Sequence, residues 1–230
     1  MTGTADTRRP SWLKLLLEAP AGARLLAAQL QTYPRERAAG SGRAILVVPA
    51  FLAHDFVTRP LRRALRAGGH RAWGWGQGFN MGARRRKFAA LLKRIDKLSD
   101  ATGDRLVLIG WSLGGLYARE AAKHRPDKVS MVITLGTPFS HGQRDNNAWK
   151  LYEAINDHDV DHPPVPIAPE EKPPMHTVAI WSRQDGIVAP ASAGGRRDEA
   201  DDQVEVHCPH NELVSHPEAL RAVLEVIDRR

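Results

Sequence analysis

The chain has 230 residues, of which 42% are hydrophobic, and its 33 Lys and Arg outnumber its 26 Asp and Glu. This length is enough for one substantial core, so we predict a single domain over residues 1–230, and no uncharged apolar run approaches the length of a membrane span. The single cysteine, Cys208, excludes an intramolecular disulfide, so we predict a reducing, cytoplasmic location and interpret this thiol as a small buried side chain.

A helical segment over residues 11–31 is the first predicted element. Its leucine-rich part ends at Glu18, and a second part begins at Ala23, after Pro20. Because Lys14 and Glu18 interrupt the leucines, the segment is not a convincing signal peptide. We expect it to pack on the body of the protein.

Strands and helices alternate through the rest of the chain. Apolar runs predict strands near residues 44–48, 71–75, 105–109, 129–135, 177–181 and 203–206. Helix-like runs lie near residues 58–67, 84–99, 114–124 and 217–228. This alternation predicts an α/β fold, a mostly parallel sheet of about six strands with helices on both faces.

The pentapeptide Gly110-Trp111-Ser112-Leu113-Gly114 is the most informative motif. It follows one predicted strand and opens the next predicted helix, which is the setting of a G-x-S-x-G nucleophile elbow. Such a turn holds the serine hydroxyl at the edge of the sheet beside a helix N-terminus, where developing negative charge is stabilised. We therefore predict that Ser112 is a catalytic nucleophile.

A serine nucleophile needs a base to take its proton and an acid to orient that base. In this setting the chain order is serine, acid, histidine. Asp185 follows the predicted strand near 177–181, and His210 lies in the loop after the one near 203–206. Both are therefore predicted at the same sheet edge as Ser112.

Two other histidines and two other aspartates compete for these roles: His207, His216, Asp201 and Asp202. His216 lies where the last helix is predicted to begin, and His207 lies where a strand is predicted to end. The two aspartates lie in a charged loop. Either one is the acid in place of Asp185 only if the geometry of the turn differs from the one expected.

Residues 139–175 form an insert between two predicted strands on the active-site side, and we interpret it as a small cap or lid. It contains a helix-like run over residues 147–155 and a proline-rich stretch. Four of its side chains either face an acyl chain or anchor the cap to the body: Trp149, Leu151, Tyr152 and Ile155.

Five stretches together resemble the α/β-hydrolase superfamily, in particular its small serine esterases and lipases. They are residues 47–52, 110–115, 135–139, 185–188 and the His210 loop, and they span about residues 43–228. The resemblance implies the α/β-hydrolase fold and acyl transfer through a serine ester intermediate, with no metal and no organic cofactor.

Acyl transfer also needs an oxyanion hole of two backbone N–H groups. The N–H of Leu113, directly after the nucleophile, is the first predicted donor. By resemblance to lipases, the N–H of Phe51 is the second. Ala50 stands where related sequences usually have glycine, so this loop either needs no positive φ at that position or is strained there.

Four further residues are predicted to contact the substrate: Leu52, Trp111, Phe139 and Asn80. The first three are apolar and lie near the predicted chemistry, which favours aliphatic acyl groups. Asn80 lies in a glycine-rich loop, and similar sequences carry such a loop near the pocket, so a structural role is the alternative for this residue.

These residues predict a hydrolase of carboxylic esters that acts on a small-molecule or lipid ester. Acyl transfer to another acceptor, or thioester hydrolysis, would use the same triad, and both stay open. A hydrolase-like fold kept as a binding module is a further alternative, and the presence of serine, acid and base together argues against it.

Charge is distributed unevenly, because residues 1–130 contain 24 Lys or Arg and nine Asp or Glu, whereas residues 131–230 contain nine and 17. We interpret the basic runs as solvated helix faces, with peripheral association with anionic surfaces as the alternative. No fold signature or aromatic interleaving indicates nucleic-acid binding.

Residues 156–162 carry His and Asp without a second ligand cluster, so we interpret them as a polar loop and predict no metal site.

Overall fold

A six-stranded parallel sheet forms the centre of the protein in a computed structural model that describes residues 9–33, 42–142, 144–165 and 167–229. Its strands are β1 (Ala44–Val48), β2 (Arg71–Gly74), β3 (Leu106–Trp111), β4 (Val129–Leu135), β5 (His176–Ser182) and β6 (Asp202–Val206). The helices are α1 (Trp12–Ala27), α2 (Arg59–Ala67), α3 (Arg85–Thr102), α4 (Leu113–His124), α5 (Trp149–Ile155), α6 (Pro190–Gly194) and α7 (Pro217–Asp228). Short 3-10 helices span Ala28–Leu30 and His210–Glu212.

The order of the strands determines where the loops meet. Neighbouring strands pair in the order β2-β1-β3-β4-β5-β6, and every pairing is parallel. The chain moves outward from β1 to β2 and then returns to place β3 on the other side of β1. At such a switch point the loops that follow β1 and β3 diverge and leave a crevice outside the carboxyl ends of the strands.

Helices cover both faces of the sheet, which explains why β1 and β3 are buried along their whole length. On one face, α2 and α7 pack through a cluster that includes Leu61, Leu65, Leu220, Val223 and Ile227. On the other face, α3 and α4 pack through a cluster that includes Phe88, Leu91, Ile95, Tyr117 and Ala121. The predicted α/β fold is thus confirmed, with each strand within two residues of its predicted bounds.

Helix α1 is one continuous helix through Pro20, where the predicted helical segment consisted of two parts, one before and one after the proline. Proline removes one backbone hydrogen bond, but packing of an amphipathic helix often outweighs such a local cost. Here Glu18, Ala21 and Leu25 are buried against the body, on both sides of the proline. Within the described ranges, no helix combines the length and the apolar character needed to cross a bilayer.

Candidate active site

Ser112 lies in a sharp turn directly after β3 and directly before α4. Its backbone has φ 52° and ψ −123°, a combination that is costly for any residue except glycine and is found mainly at functional sites. The Ser112 N–H donates to the carbonyl of Leu135 at 2.8 Å. The Ser112 carbonyl accepts from the N–H of Gly115 at 2.8 Å and from the hydroxyl of Thr137 at 3.0 Å. These contacts hold the strained turn on both sides.

The two glycines of the pentapeptide are required by close backbone contacts. A Cβ on Gly110 would lie 2.3 Å from the carbonyl oxygen of Gly114, and a Cβ on Gly114 would lie 2.3 Å from the carbonyl oxygen of Val48. Because Gly110 has no Cβ, α4 can turn back onto β3. Because Gly114 has none, the first turn of α4 can touch the end of β1. This explains the spacing of the motif.

Asp185 and His210 meet at the same edge of the sheet. Asp185 follows β5, and His210 begins a 3-10 helix after β6. The His210 Nδ1 lies 2.6 Å from the Asp185 Oδ2, and both side chains are almost fully buried. The other carboxylate oxygen, Oδ1, accepts the N–H groups of Ile187 at 2.8 Å and Val188 at 2.7 Å. Asp185 is therefore fixed on both sides.

The environment of His210 favours its protonated form. Burial alone lowers the pKa of His210, but the charge of Asp185, the hydrogen bond to Asp185 and the charge of Glu18 together outweigh burial. The result is a pKa above the ordinary value of 6.5. A carboxylate on Nδ1 also selects the tautomer in which Nε2 is free to accept a proton.

Trp111 connects His210 to the serine turn. Its indole Nε1–H donates to the His210 carbonyl at 3.2 Å, and the two ring centroids are 5.9 Å apart. Within the described residues, the Ser112 hydroxyl makes no hydrogen bond to the His210 ring. In free enzymes this contact is often long and shortens only when substrate binds.

Glu18 is a residue whose position the sequence analysis missed. Its buried carboxylate accepts hydrogen bonds from the N–H groups of Gly186, His210 and Asn211 at 2.8, 2.8 and 2.9 Å. These donors lie 168 to 193 residues away in the chain, so no local pattern identifies the contact.

A cavity of about 530 Å³ opens beside Ser112, within the usual size range of small-molecule sites. The insert between β4 and β5 forms one of its walls and contributes Trp149 and Tyr152. Leu151 and Ile155 lie on the same helix but are exposed instead, at 51% and 37% of their surface. The cap helix therefore separates into an inner and an outer face.

The loop after β1 brings Phe51 to the cavity wall, next to Ser112 and Leu113. Within the described residues, no protein group accepts the N–H of Phe51 or of Leu113. Ala50 does not have a positive φ, so glycine is not needed there. The left-handed residue of this loop is Leu52, at φ 59°.

Asn80 holds this loop from behind rather than facing the cavity. Its side-chain amide donates to the carbonyl of Pro49 at 2.8 Å, and its backbone carbonyl accepts the N–H of Leu52 at 2.7 Å. Its own N–H donates to the carbonyl of Ala53 at 2.9 Å. Asn80 is fully buried and its polar atoms bond to the loop, which fits the structural one of its two predicted roles.

The other three residues predicted to contact substrate also lie outside the described cavity wall. Phe139 is completely buried, and the Arg119 guanidinium carbon lies 4.2 Å from its ring centroid. Trp111 is buried beside His210, and Leu52 is 38% exposed. Pro138, the neighbour of Phe139, lines the cavity instead. An apolar side chain near the motif was therefore not enough to indicate a wall position.

The competing histidines and aspartates have other partners. His207 is exposed and contacts Glu218 at 2.9 Å, and the backbone N–H of His216, directly before α7, donates to the Glu212 carbonyl at 2.7 Å. Asp201 contacts Lys172 near the amino end of β5, opposite the serine turn, and Asp202 begins β6 at that same end. These positions leave Asp185 and His210 as the acid and base candidates.

The surroundings of the Cys208 thiol and of the polar segment 156–162 indicate neither a second nucleophile nor a metal site. Burial raises the pKa of the Cys208 thiol, and nearby carboxylates raise it further, which disfavours the reactive thiolate. In the segment 156–162, His158 contacts Tyr152 and Asp157, and His162 contacts Asp159. Among the described residues, no group of three or more His, Cys, Asp or Glu side chains is arranged to hold a metal ion.

Comparisons with known proteins agree with this architecture. A family model described as the α/β hydrolase fold matches residues 74–166. No curated protein matches the sequence. The chain is similar to a solved structure from LipS and LipT, two metagenome-derived lipolytic enzymes, with 16% identity, a TM-score of 0.63, and 87% of this chain and 100% of that chain covered.

Two further solved structures are similar at low identity. The naproxen esterase (carboxylesterase NP) of Bacillus subtilis has 14% identity and a TM-score of 0.55, with 92% of this chain and 95% of that chain covered. A thioesterase domain from the curacin biosynthetic pathway has 14% identity and a TM-score of 0.56, with 83% and 92% covered. Structural likeness at such identities shows the fold. Together with the family match over residues 74–166 and the parallel six-stranded sheet, it shows that this chain has the α/β-hydrolase fold.

Proposed function

We propose that this protein is a serine hydrolase that cleaves carboxylic esters of aliphatic acids through an acyl-enzyme intermediate. The observation that carries the proposal is the buried Asp185–His210 pair, joined at 2.6 Å, at the sheet edge that also holds the strained Ser112 turn. A serine in an exposed turn is common, but a serine turn beside an oriented imidazole is what acyl transfer requires.

In the proposed reaction, His210 Nε2 takes the proton of the Ser112 hydroxyl as the oxygen attacks the ester carbonyl. The carbonyl oxygen becomes negative, and the free N–H groups of Phe51 and Leu113 stabilise it. His210 then gives its proton to the departing alkoxide, and the acyl group stays on Ser112. Asp185 stabilises the imidazolium during both transfers.

The second half of the reaction repeats this chemistry with water. His210 removes a proton from water, the resulting hydroxide attacks the acyl-serine, and the collapse of the second intermediate releases the acid and restores the serine. His210 later gives up every proton that it takes, so the enzyme is unchanged after one cycle.

The cavity wall indicates the kind of acyl group. Large apolar side chains predominate, among them Leu116, Trp149, Ile167, Ile187 and Val188. No Lys or Arg is among the described lining residues, so the wall offers no cation for a phosphate or carboxylate of the substrate. A neutral ester with an aliphatic chain longer than acetyl fits this surface best.

The test is a series of p-nitrophenyl esters from acetyl to palmitoyl, measured as initial rates for the wild type and Ser112→Ala. We expect the wild type to prefer a chain longer than acetyl and the variant to lose roughly four or more orders of magnitude in kcat. Ser130→Ala is the matched control, because Ser130 lies at the amino end of β4 and its hydroxyl donates to the carbonyls of Arg105 and Leu106 at the start of β3. Its rate is expected to equal that of the wild type.

Two outcomes would redirect the proposal. A thioester of a small neutral thiol has the same carbonyl, so a rate on it that far exceeds every ester rate would reassign the protein as a thioesterase. A folded protein that turns over no substrate, and that a fluorophosphonate does not label at Ser112, would show that the site is not a hydrolase.

A further inference from the structure

Helix α1 contributes a carboxylate to the back of the candidate active site. Glu18 Oε1 accepts the N–H groups of Gly186 and His210, each at 2.8 Å, and Oε2 accepts the N–H of Asn211 at 2.9 Å. The Asn211 side-chain amide also donates to the Glu18 carbonyl at 3.2 Å. One side chain thus holds the loop after Asp185 and the loop that contains His210.

A buried carboxylate is costly unless its charge is compensated. Glu18 is only 4% exposed, and among the described residues no Lys or Arg pairs with it. Its neighbour Lys14 donates instead to the carbonyl of Arg183, and Arg24 donates to Glu212. The three N–H groups are the compensation, and hydrogen bonds to an ionised acceptor are stronger than neutral ones.

We propose that Glu18 is a positioning residue of the proposed triad, which fixes the Asp185 and His210 loops against each other through three backbone N–H groups. This inference rests on the proposed function. Glu18 is absent from the described cavity wall, so it acts through His210 and Asp185 and not on the substrate.

The position of these bonds explains how Glu18 would act. Gly186 directly follows Asp185, and the His210 N–H belongs to the base itself, so the same carboxylate oxygen restrains the backbone of both members of the pair. Displacement of a reacting group by about 1 Å can cost roughly 100-fold in rate. The carboxylate also adds negative charge near the imidazole, alongside Asp185.

Two carboxylates from different elements act on the charge of His210: Asp185 on the loop after β5 and Glu18 on α1. A third carboxylate, that of Glu212, lies on the same 3-10 helix as His210. Glu212 is paired with Arg24, whereas Glu18 has only N–H donors among the described residues. Neutralising Glu18 therefore removes a carboxylate that favours the protonated imidazole.

The experiment compares Glu18→Gln and Glu18→Ala with the wild type in the full chain. Glutamine keeps the shape and one acceptor oxygen but places an amide against a backbone N–H. We expect Glu18→Gln to lower kcat roughly 10- to 100-fold with KM within about twofold, and Glu18→Ala to lower it further. The acidic limb of the kcat/KM profile should move to lower pH in Glu18→Gln, because the imidazole loses a neighbouring negative charge.

Asp201→Asn is the matched control. Asp201 also accepts a backbone N–H, that of Thr177 at 2.8 Å, but it lies at the opposite end of β5. We expect it to leave kcat and the pH profile unchanged. Thermal unfolding and near-UV circular dichroism are recorded for every variant, and rates are measured well below each unfolding midpoint.

A second measurement does not depend on turnover. The His210 imidazole is titrated by NMR in the wild type and in Glu18→Gln, with its signals assigned by comparison with His210→Gln. A lower pKa in Glu18→Gln supports the inference. An unchanged pKa, or a loss of kcat that only parallels a loss of folded protein, would mean that Glu18 is merely structural.

Failure of this inference is distinguishable from failure of the proposed function. If the wild type hydrolyses esters and Glu18→Gln has the same kcat and the same pH profile, the positioning role is wrong and the hydrolase stands. If the wild type neither turns over an ester nor reacts with a fluorophosphonate, both are overturned together.

Discussion

Gly186 lies so close to helix α1 that a Cβ on it would be 2.4 Å from the carbonyl oxygen of Lys14. The same Cβ would be 2.9 Å from the Cγ of Glu18. The Asn147 side chain joins the two segments further, because its amide donates to the carbonyls of Pro10 and Gly186 at 3.1 and 2.9 Å. The N-terminal helix thus packs directly on the backbone of the loop that carries Asp185.

Gly186→Ala is therefore expected to destabilise the fold and to lower activity. The two nearest colliding atoms belong to the Lys14 backbone in α1 and cannot rotate away, so the cost is that of overpacking, about 1–3 kcal/mol. Urea unfolding and kcat measure the two effects. Gly22→Ala is the control on the same helix, because a Cβ there meets nothing within 4 Å. It should raise stability by about 0.5–1 kcal/mol and leave kcat unchanged.

Gly136→Ala is expected to damage the acid–base pair itself. Gly136 has φ 54°, and a Cβ on it would lie 3.0 Å from both the Asp185 Oδ2 and the His210 Nδ1. We expect kcat to fall at least 10-fold, because both partners must move. Gly103→Ala is the control for backbone strain alone, because Gly103 has φ 72° and a Cβ there would meet no atom within 4 Å. Equal kcat losses in the two variants, measured on the same ester, would contradict the argument.

The pH dependence of activity follows from His210. Its pKa is raised above 6.5, and only the neutral imidazole can accept the serine proton, so kcat/KM should fall as the pH decreases through that raised pKa. Asp185→Asn removes the main group that raises the pKa, so the acidic limb should move to lower pH while kcat drops by roughly four orders of magnitude. A profile recorded from about pH 5 to about pH 9 tests both effects.

The free energy of unfolding should also depend on the protonation of His210, but in the opposite direction to activity: this contribution is lost as the pH rises. The folded state favours protonated His210, so its contribution to the free energy of unfolding is complete below the ordinary pKa of 6.5 and is lost as the pH rises through the folded-state pKa. Urea unfolding of the wild type and of His210→Gln should therefore differ most at acidic pH. A difference that grows with rising pH would contradict the assignment.

Arg119 should hold the cap segment to the body. It is buried, and its guanidinium donates to the carbonyls of Glu199 and Pro169, each at 3.0 Å, and of Glu171 at 3.3 Å. Burial lowers its pKa to about 10, with Glu199 opposing the shift, so it is still charged at neutral pH. Arg119→Leu leaves three carbonyls without this donor and should cost about 3 kcal/mol.

Hydrogen exchange shows where Arg119→Leu loosens the structure. We expect faster exchange in residues 167–171 of Arg119→Leu, together with a higher KM, because Pro169 and Glu171 line the cavity. Arg105→Leu is the control, since the Arg105 guanidinium donates to two carbonyls at an exposed position. It should change stability by less than about 1 kcal/mol. Unchanged exchange in the cap segment of Arg119→Leu would show that Arg119 does not restrain it.

Local patterns were sufficient for all six strands and most of the helices, and they placed the three triad candidates at one edge of the predicted sheet. Strand β3 and the motif around Ser112 are specified by neighbouring residues, and Asp185 and His210 follow from the ends of two apolar runs. Helix α6, Pro190–Gly194, was not predicted, because five residues are too short for a periodic signal. Helix α1 continues through Pro20 because burial of the helix outweighs one missing hydrogen bond.

The roles of the residues around the proposed triad could not be predicted from local patterns. Asn80 and Phe139 lie close in sequence to pocket residues, but the first holds a loop and the second is buried beneath Arg119. Glu18 looked like a charge that interrupts a leucine run, and its partners are more than 160 residues away. Contacts of this kind depend on the assembled fold and leave no periodicity or spacing in the sequence.

The bond between Glu18 and the His210 backbone spans 192 positions of the chain, which has a consequence for biosynthesis. At about 5–20 residues per second, the ribosome adds His210 roughly 10–40 seconds after Glu18. During that interval α1 emerges first, with a carboxylate whose three donors do not yet exist. The proposed catalytic centre is therefore completed only after His210 has been synthesised, when the loop that contains it packs against α1.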